Sequence, residues 1–141
     1  KMIDLTYIMG ATLFTESIND LENKVDIIID TTGIPQVIAD GYNKLAPSGR
    51  LILVGQPAPG KSVELPNAVS MFDGTGKSVK ATQGGGTIPH VDIPRYIDLA
   101  SRGIICYEQL HTDTFTLDQV NDAFDLLKSG NAGRIMIDIG E

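Results

Sequence analysis

The residues of this chain best placed for chemistry are three short segments that each follow an apolar run. They are Asp30, Thr31, Thr32 and Gly33; Val54, Gly55, Gln56 and Pro57; and Thr82, Gln83, Gly84, Gly85 and Gly86. Each contains glycine, which lets backbone N–H and C=O groups come close to a ligand. At the carboxyl ends of parallel strands, such segments line the crevice in which open α/β sheets bind nucleotides. A plain strand-to-loop turn accounts for any one of these glycines, whereas three on one edge favour a binding edge. The triple glycine does not open a helix directly and so is not a Gly-x-Gly-x-x-Gly fingerprint. Arg134, at the start of the last apolar alternation, reads either as a solvated edge charge or as a partner for a pyrophosphate. Asp30 closes an apolar run, where a carboxylate is costly without hydrogen-bond partners. Bonding to its own loop is favoured there over service as a general base.

Other reactive side chains are scarce. Cys106 is the only cysteine, which excludes an internal disulfide, and with His90 and His111 it makes no metal-ligand cluster at a usual spacing. Its apolar surroundings, residues 103–107, predict a buried, inert thiol. The two histidines have no Ser, Asp or Cys partner at motif spacing and are expected in structural or surface roles.

The elements that must hold these segments follow from periodicity. Met2, Leu5, Ile8 and Met9 lie on one side of a first helix stopped by Gly10, and Leu13 and Phe14 are extended. Residues 25–30 are almost wholly apolar and β-branched, the pattern of a parallel strand buried on both faces. Pro35 opens a helix whose face is Ile38, Gly41, Tyr42 and Leu45, ended by residues 47–49. A second apolar strand spans 51–55, completing a βαβ unit. Residues 62–65 are extended, 71–76 turn, and 78–83 form a third strand. Asp92 caps a helix with face Ile93, Tyr96, Ile97 and Ala100, stopped by Gly103. Thr116 and Gln119 form a capping box for a helix with buried face Val120, Ala123, Phe124 and Leu127, stopped by Gly130. Residues 134–139 alternate as a strand with one wet side.

The 141 residues are 42% hydrophobic and carry a net charge of −7, enough for one globular core. That acidity disfavours binding to phosphate backbones, so neither nucleic acid nor an anionic membrane is an expected partner. No apolar run approaches the ~20 residues that cross a bilayer, and the start lacks a signal-peptide pattern. The expected compartment is the cytoplasm. Lys1 leads straight into a helix-like segment, which reads as a piece of something longer.

Residues 25–33 and 45–55 together resemble the medium-chain, zinc-type alcohol dehydrogenases. So do Gly10, Ala11 and Thr12, and residues 120–130, with order and spacing agreeing over nearly the whole chain. The resemblance implies an α/β fold, a Rossmann-like parallel sheet truncated at its N-terminal strands. Residues 1–141 would be a partial NAD(P)-binding domain, with about 104–141 as its return segment. Thr31 and Thr32 would then lie by the adenosine ribose, and Val54, Gly55, Gln56, Thr82, Gln83 and Gly84 along the nicotinamide side. Arg134 would pair with the pyrophosphate. The family's zinc ligands, proton relay, first Rossmann strand and Gly-rich phosphate turn all precede the region represented here. The chain is therefore expected to supply cofactor walls, with neither catalytic nor metal-binding residues of its own, for a parent that passes hydride between an alcohol or aldehyde and NAD or NADP. A homo-oligomer joined through strand 78–83 is expected. The rival readings are a zinc-free quinone or enoyl reductase of the same superfamily and a non-catalytic fragment or interaction module.

Overall fold

The computed structural model describes residues 2–65, 69 and 75–140. They form two compact units, one spanning Thr15–Thr87, the other joining the residues up to Phe14 to those from Ile88 onward.

The Thr15–Thr87 unit is built on a parallel sheet in the order β1 (Val25–Asp30), β2 (Leu45–Leu53), β3 (Ser78–Ala81), with helix α2 (Pro35–Lys44) between the first two strands. Ile28 pairs with Leu51 and Leu51 with Val79, so these apolar residues share one face of the sheet. Against it, α2 sets Ile38 and Tyr42, which with Leu45 and Leu51 are essentially solvent-free, and Ile28, Leu53 and Val79 pack around them. Removing four such side chains from water stabilises the unit by roughly 1.5–3 kcal/mol each. Pro35 starts α2 at a position where its missing N–H costs nothing. The C-terminal carbonyls of α2 meet cations: Lys24 Nζ donates to the Asn43 carbonyl and Lys77 Nζ to that of Tyr42, satisfying groups the helix leaves open. Burial, and then repulsion from Lys24, holds the Lys77 ammonium below its ordinary pKa of 10.5.

Several expectations for this unit need correction. The strand at 25–30 is not buried on both faces, because the alternate face, with Ile27 and Ile29, has no covering layer within the unit and both side chains are exposed. The second strand starts at Leu45, since Leu45 already pairs with Val25 before a bulge that resumes pairing at Arg50. Residues 47–49 thus make an irregularity inside the strand, with Ser48 at φ +62°, instead of terminating the helix. That strand ends at Leu53, and β3 ends at Ala81, so Val54, Gly55, Thr82 and Gln83 belong to loops. Residues 62–65, like 13–14 in the other unit, form no strand. Of the turn expected at 71–76, residues 71–74 lie outside the described residues.

The other unit contains α1 (Met2–Ile8), α3 (Pro89–Ser101), β4 (His111–Thr116), α4 (Val120–Lys128) and β5 (Arg134–Asp138), with β4 and β5 paired in parallel. The capping box at Thr116 and Gln119 forms as expected, closing a short 3₁₀ turn that runs into α4. Strand β4 lies outside the expected elements, because its sequence, with Thr at three of six positions, lacks an apolar alternation. α3 opens at Pro89 rather than at Asp92, and the Asp92 carboxylate reaches back to the Ile88 N–H at 2.7 Å. Asp92 is therefore not the N-cap that was expected: that position is Ile88, whose own N–H the Asp92 carboxylate accepts from within the helix. The faces expected to be buried are largely open: Ile93, Tyr96 and Ile97 on α3, and Phe124 and Leu127 on α4, are exposed, with only Ala123 buried. Cys106 is exposed too, which overturns the expectation of a buried thiol. Residues 103–107 are loop, and no layer of this unit covers them. His90 and His111 are exposed, and the His111 ring bonds the Thr114 hydroxyl at 2.8 Å.

Candidate functional site

The carboxyl ends of β1, β2 and β3 lie side by side, as parallel pairing requires, and the loops leaving them build one edge. Asp30, the last residue of β1, is 5% exposed and organises the first loop. Its carboxylate accepts from Thr32 N at 3.2 Å, Thr32 Oγ1 at 2.7 Å and Gly33 N at 3.0 Å. The expected bonding of this carboxylate to its own loop is therefore what the structure contains. Its backbone carbonyl accepts from Val54 N at 2.8 Å and Gly55 N at 2.9 Å, carrying the ladder past the end of β2.

Two glycines then interlock the loops. A carbon added to Gly33 would sit 2.4 Å from the Gln56 carbonyl oxygen, and one added to Gly55 would sit 2.2 Å from Gly33 N and 2.6 Å from Thr32 N. No side chain fits at either position, so segments 31–33 and 54–56 pack backbone to backbone. The third loop leaves β3 with Thr82 N donating to the Leu53 carbonyl at 3.0 Å, and the Thr82 hydroxyl receives the Gly85 N–H at 3.1 Å. Gly84, Gly85 and Gly86 all have positive φ, and a side chain on Gly85 or Gly86 would meet open space.

Between the second and third loops lies an open cleft of about 530 Å³, lined by Leu53, Val54, Gly55, Gln56, Pro57, Ala81, Thr82 and Gln83. This size is in the range of small-molecule and cofactor sites. The cleft unites six of the residues singled out from sequence: Val54, Gly55, Gln56, Pro57, Thr82 and Gln83. Thr31 and Thr32 stand behind Gly55 on the adjoining loop, and Gly84 follows Gln83. Arg134 belongs to the other unit, exposed at the first position of β5. Leu53 and Ala81 also line the cleft and were missed. Their only sequence signal is their place one residue outside the chosen segments. Among the described residues no group of three or more His, Cys, Asp or Glu is placed to hold a metal ion. No helix among them is long and apolar enough to cross a membrane.

No family model matches the sequence. An NDMA-dependent alcohol dehydrogenase of Amycolatopsis methanolica is 31% identical over 101 residues, covering 70% of this chain and 26% of the relative. An alcohol dehydrogenase zinc-binding domain protein of Burkholderia ambifaria superposes with a TM-score of 0.76 at 23% identity, covering 99% of this chain and 34% of that one. A short chain alcohol dehydrogenase of E. coli CFT073, solved with NADH, gives a TM-score of 0.72 at 21% identity, covering 96% of this chain and 40% of that one. The chain thus spans about a quarter of the length of the curated relative. The fold is Rossmann-like, and the homologues of this chain are alcohol dehydrogenases of the medium-chain family, in agreement with the resemblance carried by the sequence motifs.

Proposed function

We propose that this homologue of the medium-chain alcohol dehydrogenases forms a wall of the nicotinamide-nucleotide site of a dehydrogenase that passes hydride between an alcohol or aldehyde and NAD or NADP. The observation that carries the reading is the cleft at the carboxyl edge of the parallel sheet, with its loops interlocked through Gly33 and Gly55. The residues present fit a dinucleotide: residues 53–57 and 81–83 line an open cleft, and no side chain crowds the triple glycine. A structural neighbour solved with NADH supports the same assignment.

When bound, the nicotinamide supplies the hydride acceptor or donor, and the chemistry is the cofactor's own. The protein's part at this edge is to orient the ring and exclude water from one side of it. Val54, Gly55, Gln56, Thr82, Gln83 and Gly84 serve the nicotinamide half, and the loop carrying Thr31 and Thr32 the adenosine ribose. Among the described residues there is no group of three or more His, Cys, Asp or Glu to serve as a zinc donor set. Subunits join through the outer edge of β3, which pairs with no further strand among the described residues.

Titration of the ¹⁵N-labelled chain with NADH and with NADPH tests the nucleotide reading. Amide shifts confined to residues 31–33, 53–56 and 81–86 are expected, with weak affinity because among the described residues no glycine turn opens a helix toward the pyrophosphate. Shifts elsewhere, or none at millimolar nucleotide, would overturn it. The same chain is expected to show no alcohol oxidation, and light scattering should find a dimer. A monomer at high concentration would remove the β3 contact.

A further inference from the structure

We propose that Asp30 is the positioning residue of this edge, and that the Thr32 hydroxyl is committed to the same task, leaving Thr31 as the threonine able to meet a nucleotide. The proposal rests on the nucleotide reading for its ligand, and on geometry alone for its loops. Asp30 is the one charged side chain buried among the described residues. A carboxylate taken out of water there is held by dipoles: two backbone N–H groups and a hydroxyl within 3.2 Å.

Its reach exceeds its own loop. The Asp30 carboxylate fixes Thr32 and Gly33, while the Asp30 carbonyl fixes Val54 and Gly55. One residue therefore ties together both loops. Gly33 and Gln56 are in backbone contact with no space between them. A displacement at Gly33 is transmitted to Gln56, in the cleft wall, although Asp30 makes no bond to Gln56 itself. Close-packed backbone has no slack to absorb it.

The two threonines divide by their bonding. Thr32 Oγ1 donates its single proton to Asp30 and accepts from Ile34 N at 3.1 Å. Its donor is spent inside the loop, so it cannot also donate to a ribose. Thr31 is exposed and its side chain makes no hydrogen bond to the described residues.

The test uses the ¹⁵N-labelled chain with NADH as probe. In Asp30→Asn, the amide nitrogen can be turned from Thr32 only by facing the Gly33 N–H, donor against donor. Either orientation leaves an N–H or hydroxyl unpaired. We expect the resonances of Gly33, Gly55 and Gln56 to move and the NADH response at 54–56 to weaken about tenfold, the loss that one unpaired buried donor brings. Thr32→Val is expected to do the same and Thr32→Ser to restore both. Thr31→Val should weaken the NADH response while leaving the free loop's resonances in place. Leu51→Ala controls for general loss of stability and should move neither Gly55 nor Gln56. Resonances of Gly55 and Gln56 unmoved in both Asp30→Asn and Thr32→Val would overturn the proposal, as would Thr31→Val moving them as far as Thr32→Val does. Moved resonances with an unchanged NADH response would also overturn it. Should the unmodified chain give no NADH response, the nucleotide reading falls, and the loop resonances alone still decide the role of Asp30.

Discussion

Helices α2 and α3 carry similar apolar stripes, and the two units treat them differently. On α2, Ile38 and Tyr42 are 0% exposed beneath the three-stranded sheet, while on α3, Ile93 and Ile97 remain 55% and 63% exposed. The stripe records what a helix is able to bury, and a facing surface decides whether it does. In the Thr15–Thr87 unit that surface is the face of Ile28, Leu51 and Val79, aligned by parallel register. In the other unit the two-stranded sheet meets α4, where Val120, Ala123, Phe124, Leu127, Ile135 and Ile137 leave an apolar cavity of about 170 Å³. Stability is thus concentrated in the unit that also builds the cleft.

The largest effect expected is at the centre of the closed core. Leu51→Ala should cost about 3 kcal/mol in a denaturant titration, as transfer loss and cavity add together. Ile97→Ala should stay within about 0.5 kcal/mol, since that side chain has little burial to lose. Equal costs would erase the contrast between the units.

Next come the glycines. Gly55→Ala places a carbon 2.2 Å from Gly33 N, and overpacking against backbone should cost about 2–3 kcal/mol and disturb the cleft. Gly130→Ala, which ends α4 at φ +73° with open space around it, should cost only the left-handed conformation, about 1 kcal/mol. Thermal unfolding of the two variants ranks them.

A smaller effect of opposite sign is expected at Tyr42. Its hydroxyl is buried without a hydrogen-bond partner among the described residues, so Tyr42→Phe should stabilise the core by about 1 kcal/mol and raise the unfolding midpoint. The smallest concerns Lys77. Its pKa is lowered in the fold, so over the pH range just below 10.5 the unfolded chain binds more protons than the folded one. Stability should rise with pH across that window and level off above it. Lys77→Met should flatten that part of the stability profile, while leaving the cation-independent packing on Tyr42.

Much of this was legible from residue types. The apolar β-branched run at 25–30, Pro35 with the spacing of Ile38 and Tyr42, and the Thr116/Gln119 box each specify local structure through short-range sterics and hydrogen bonds, and each formed. The glycine-bearing strand ends were legible as one edge because parallel strands must bring their carboxyl ends together. Strand β4 was not, since its pairing with β5 depends on a partner more than twenty residues away and not on its own alternation. Nor was the start of β2, because a bulge conceals the pairing of Leu45 with Val25.

By itself, then, the sequence determined the bodies of helices α1–α4 and of strands β1, β3 and β5, and that three glycine-bearing loops share a sheet edge, since backbone preference and side-chain period act over a few residues. Tertiary structure alone decided that Ile27, Ile97 and Cys106 stay open, that Gly33 and Gly55 lock two loops together, and that Asp30 holds both. Burial and close approach depend on which surfaces meet, and no local pattern records the meeting.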